Sequence, residues 1–121
     1  MPNTLAHAAV QGLGSHAAFL DVDPKWVYLS CVIPDLPWIL QRAARVMVPW
    51  VDPFLLRSYV IIQASLLGCL LFSAAVALVA RRPGRAFAVL GGNALLHLGL
   101  DAVQTKWGNG IHFFAPFSWE T

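Results

Sequence analysis

The stretch Asn93-Ala-Leu-Leu-His97-Leu-Gly-Leu-Asp101 places three polar side chains four residues apart inside an apolar run. At helical spacing, positions i, i+4 and i+8 share nearly one face, so Asn93, His97 and Asp101 form a single polar stripe. A second stripe, Asn3, His7, Gln11 and Ser15, recurs at the same spacing near the start of the chain. Two imidazoles, His7 and His97, with two carboxylates, Asp35 and Asp101, make a donor set for one divalent metal. Zinc takes His nitrogen and carboxylate oxygen and keeps a position for water in catalytic sites, and manganese or iron accepts the same donors. Gln11 and Asn93, one turn from the histidines, are candidates to orient a ligand from behind. The competing reading of the same residues is a satisfied polar network between helices.

Those stripes need helices to carry them, and composition says where such helices would lie. Of the 121 residues, 58% are hydrophobic and 12% charged, against roughly 25% charged in soluble domains. A membrane protein is expected, its partner the lipid bilayer. Ser58 to Ala80 runs 23 residues without a charge, roughly 34 Å as a helix, enough to cross with some tilt. Arg81-Arg82-Pro83-Gly84-Arg85 then ends it, and a second span from Ala86 to about Gln104 should return antiparallel. Trp26 to Val48 reads as a third span broken near Asp35, because Pro34 and Pro37 remove backbone donors. Irregular backbone at membrane depth is tolerated where it lines a cavity, which turns Asp35 inward. Thr4 to about Leu20 is short for a span. The fold expected is therefore all-α: a multi-pass transmembrane bundle of about three spanning helices preceded by a shorter, polar-striped one, with residues 1–121 as one domain.

The remaining residues narrow the chemistry. The net charge is +2, and no basic stripe interleaved with aromatics suggests a nucleic-acid partner. Cys31 and Cys69 lack metal-pair spacing and read as buried small side chains. The first twenty residues hold no Lys or Arg, which fits a signal peptide poorly. The cations divide four against four: Lys25, Arg81, Arg82 and Arg85 toward one membrane side, Arg42, Arg45, Arg57 and Lys106 toward the other. The second group would suit an anionic lipid or phosphate-bearing substrate at the mouth of a metal site, or would anchor in the headgroups. His112 is open to three roles: fifth ligand, general acid, or interfacial residue among Trp107, Phe113, Phe114, Phe117 and Trp119. The only glutamate is Glu120, so a general base would have to be a spare carboxylate such as Asp52 or a ligand doing double duty.

Taken together, Asn3-Thr-Leu-Ala-His7, Pro34-Asp35, a long apolar helix, His97-Leu-Gly-Leu-Asp101 and the tail from Lys106 to Ser118 resemble a known family. It is the small bacterial membrane-bound, metal-dependent hydrolase-like family. That family includes inner-membrane proteins described as LexA-binding hydrolases, and its His/Asp pattern is similar to that of zinc-dependent phospholipase C. The resemblance spans essentially the whole chain. It implies a multi-pass protein of the bacterial inner membrane, a hydrolase of unassigned substrate, and His7, Asp35, His97 and Asp101 as metal ligands. Family members often add an Asp and a His after the Pro-Asp pair and a Thr-His-Ser in the long helix. Here those places read Pro37-Trp38 and Gln63-Ala64-Ser65, which leaves donors for one metal rather than clearly for two. Relatives of that kind continue past the position of Thr121, so a further helix beyond it is part of what the resemblance implies. The function expected is metal-dependent hydrolysis of a phosphoester or lipid-linked substrate; the alternative is a non-catalytic membrane subunit or assembly factor.

Overall fold

The computed structural model describes residues 4–18, 21–103 and 112–119, and among them every regular element is a helix. In chain order these are α1 (Thr4–Ala18), α2 (Pro24–Val32), α3 (Leu36–Met47), α4 (Pro53–Ala64), α5 (Leu66–Ala77) and α6 (Pro83–Val103). Two start by the same device. Asp23 sits in extended backbone, accepts the Lys25 N–H at 3.1 Å and is followed by Pro24 in the first turn. Asp52 accepts the Phe54 N–H at 2.8 Å and is followed by Pro53. The carboxylate satisfies an N–H that the helix leaves unpaired, and proline loses nothing where no intrahelical donor is needed.

α6 is the central post, flanked by α5, α2 and α1, while α3 leans on α4 and α4 on α5. Leu90, Ala94 and Leu98 of α6 pack with Cys69 and Ala77 of α5 and with Ile33 to form the main core. Gly91 permits the approach of α5, since a Cβ there would stand 3.1 Å from the Leu70 side chain. Beside that core, the fully buried side chains include the polar His97, Gln11, Ser30, Ser65 and Ser73, and many large apolar side chains, among them Leu13, Phe54, Leu71, Leu78 and Val79, are exposed.

Two expectations about the spans are corrected. The charge-free run from Ser58 to Ala80 is not one straight helix: α4 already begins at Pro53, and α4 and α5 meet at a 63° bend. Ser65 makes that bend. Its backbone is extended, its hydroxyl donates to the Ile62 carbonyl at 2.7 Å and accepts the Gly68 N–H at 3.3 Å, and the Leu66 N–H donates to the Phe113 carbonyl at 3.2 Å. Of the described helices only α6 is by itself long and apolar enough to cross a membrane; α4 and α5 pass only as a bent pair. The run from Trp26 to Val48 does break at Asp35, between α2 and α3.

Candidate metal centre

α1 and α6 run antiparallel with their polar stripes face to face. Ser15 meets Asn93, whose Nδ2 donates to the Ser15 hydroxyl at 2.7 Å and to the Val89 carbonyl at 2.9 Å. One turn on, Gln11 Nε2 lies 3.1 Å from His97 Nδ1. One turn further, the His7 and His97 rings meet edge to face with centroids 4.3 Å apart, and His7 Nε2 stands 3.7 Å from Asp101 Oδ1. The three rungs follow from the four-residue spacing on both helices, since each helix turn lifts the next polar residue onto the same face.

The last rung is the site. His97 Nε2 lies 3.5 Å from Asp101 Oδ2, and donor atoms of His7, His97 and Asp101 all fall within 4.8 Å of one another, so this group could hold a metal ion. Donors around a tetrahedral zinc stand roughly 3.4 Å apart for bonds near 2.1 Å, close to the two His–Asp101 separations. Asp35 Oδ1 stands 3.7 Å from the same His97 Nε2, but Asp35 does not belong to the group of three. It sits at the N-cap position of α3 without using its carboxylate as a cap, because the α2–α3 break turns that carboxylate toward His97.

Gln11 governs what His97 can bind. It is fully buried, and its Oε1 accepts from the Cys31 thiol at 2.8 Å. With Gln11 Nε2 donating, Nδ1 of a neutral His97 is bare and the ring proton sits on Nε2. Turned over, the same amide offers Oε1 to an Nδ1–H and frees the Nε2 lone pair. His97 Nε2 is buried and no described group completes a hydrogen bond to it. With the proton on Nδ1, the Nε2 lone pair is a buried acceptor left unsatisfied, at a cost of roughly 1–3 kcal/mol, and a cation shared with the Asp101 carboxylate would satisfy it; with the proton on Nε2, the N–H faces the Asp101 and Asp35 carboxylates at 3.5 and 3.7 Å. Beside the group lies a cavity of about 50 Å³ bounded in part by Asp35, Asp101, Ala64 and His112, room for a water or two but not for a substrate.

The other candidates separate clearly. Asn93 ties α6 to α1 and does not orient a ligand, whereas Gln11 does stand behind His97. Asp52 is exposed and spent on the start of α4, which removes it as a general base. Arg42 and Arg45 on α3 and Arg57 on α4 are exposed, and none borders the cavity, so they do not ring its mouth. His112 lines the cavity, with its Nδ1 buried and lacking a hydrogen-bond partner among the described residues and its ring 6.0 Å from Trp119. Asn3, Trp107 and Lys106 lie outside the described residues. Cys31 is the participant that the inert reading of the cysteines missed; its spacing of four from Asp35 was the available signal. No protein-family model, no curated protein and no solved structure matches the chain.

Proposed function

We propose that the chain is a multi-pass protein of the bacterial inner membrane that holds one divalent cation on His7, His97 and Asp101 and hydrolyses a phosphoester or lipid-linked substrate. The reading rests on one observation above all: His97 Nε2 is buried and makes no hydrogen bond, within a three-donor group that adjoins a water-sized cavity. The many exposed apolar side chains support the membrane setting, with α6 and the bent α4–α5 pair as its crossings. Zinc suits the donors best, with manganese or iron as alternatives. Such an ion would lower the pKa of bound water to near 7 and polarise the scissile group. Gln11 fixes the His97 ring, and the Asp35 carboxylate accepts a hydrogen bond from water in the cavity and aims it. A substrate would require the cavity to open.

A second reading is favoured by the Cys31–Gln11–His97 chain of hydrogen bonds, which forms without any ion. There the same residues are a structural polar network in a non-catalytic membrane subunit. Elemental analysis of detergent-purified wild type and His97→Ala, alongside turnover of phosphomonoester and phosphodiester lipids, separates the two. Near-stoichiometric metal and metal-dependent product in wild type, both lost in the variant, are expected. A folded wild type that stays metal-free after supplementation would sink the metal reading, and bound metal without turnover would leave binding alone.

A further inference from the structure

At the other end of α6 the structure has a second cavity unrelated to the histidines. The turn from Val79 to Arg82 that follows α5, the first two turns of α6, and the start of α2 with the segment leading into it border a cleft of about 470 Å³, within the size range of small-ligand sites. Arg85, on its wall, precedes His97 by roughly 18 Å along the helix at ~1.5 Å per residue. Its cations are Lys25, Arg81, Arg82 and Arg85, and its carboxylates are Asp21 and Asp23, an excess of two positive charges.

Those charges are not equivalent. Lys25 Nζ is 2.8 Å from Asp23 Oδ2 and 5.3 Å from the centre of the Trp26 ring, so the pair neutralises itself against the indole. The Lys25 ammonium, and then its backbone N–H, hold the Asp23 carboxyl below its ordinary value. Arg85 spends one N–H on the Asp21 carbonyl at 2.5 Å, which pins it in the wall without cancelling its charge. Arg81 and Arg82 are exposed, and among the described residues neither has an ion-pair partner. Behind them the wall is apolar, built from Trp26, Val79 and Val89.

We infer that this cleft binds a phosphomonoester, with Arg81 and Arg82 as the recognising pair and the apolar wall taking the carbon skeleton attached to it. A phosphomonoester carries about −1.5 to −2 at neutral pH, matching the excess in the cleft, and guanidinium groups hold phosphate through paired N–H donors. If α6 crosses a bilayer, its Pro83 end lies at headgroup depth, where phosphatidate presents this chemistry; inorganic phosphate presents it in solution. The inference is independent of the metal reading, because neither cavity shares a residue with the other.

The test is native mass spectrometry of the full chain released from vesicles of phosphatidylcholine with equal minor fractions of phosphatidate and phosphatidylglycerol. Wild type should retain phosphatidate at least about fivefold over phosphatidylglycerol, and Arg81→Gln/Arg82→Gln should lose that preference. Arg42→Gln/Arg45→Gln removes equal charge elsewhere and should keep it. The single variant Arg82→Gln, expected to fall between, covers failure of the double variant to fold. Displacement of phosphatidate by millimolar inorganic phosphate would assign the site to the phosphate group alone, and resistance to displacement would assign it to the lipid. Equal retention of the two anionic lipids, or a preference that survives loss of both arginines, would overturn the inference.

Discussion

Which nitrogen of His97 carries its proton depends on the orientation of one amide, and that amide has no other described partner than the Cys31 thiol. Replacing Gln11 by Leu removes the group that can hold an Nδ1–H, and metal affinity should fall about 10–100-fold, as when comparable supporting partners of ligating histidines are removed. Gln11→Glu can only accept at that position and should retain affinity or raise it. Zinc titration in detergent measures both, and a Gln11→Leu protein that binds like wild type would place the ring's support elsewhere. Much of this rung was legible in advance, because four-residue spacing identifies a face without a structure. The partner across the face was not: two stripes in one sequence do not say which residue meets which. Asp52 shows the converse error. A carboxylate with no obvious task was read as available for catalysis, although Asp52-Pro53 repeats the helix-start pattern of Asp23-Pro24.

At the level of elements, the bend between α4 and α5 decides where Ala64 and the 112–119 segment come together beside the cavity. Gly68 is part of that bend for steric reasons. A Cβ there would stand 2.7 Å from the Ile62 carbonyl oxygen and collide with that of Gln63. Gly68→Ala should therefore cost about 1–3 kcal/mol, as overpacking does, seen as a lower unfolding midpoint in detergent, whereas Gly84→Ala, with open space around the site, should be close to neutral. Equal midpoints for the two variants would show that the bend gives way at no cost. Hydropathy could not register this bend, since no residue of the run is charged and a window average is blind to direction. The α2–α3 break was legible because proline removes a donor whatever surrounds it; at Ser65 the interruption depends on a hydroxyl and on Phe113, nearly fifty residues away.

At the level of the whole molecule, a buried polar seam between α1 and α6 beside an otherwise apolar core makes that seam the place where an ion would act on stability. An ion that binds only the folded chain stabilises it by about 4 kcal/mol at a thousandfold excess over its Kd. Zinc should accordingly raise the unfolding temperature of wild type, and His7→Ala should abolish most of that rise although His97 and Asp101 remain on a single helix. Thermal unfolding with and without zinc checks it, and an undiminished rise in His7→Ala would mean that α1 contributes no donor. The same seam orders events in the cell. Its donors come from the first described helix and the last, so α1 must wait while the intervening elements leave the ribosome and α6 follows them. If the proposed cation and membrane setting hold, cation loading closes biogenesis rather than seeding it: nascent chains arrested before His97 should carry no metal, and insertion into the bilayer should proceed equally well when metal is withheld.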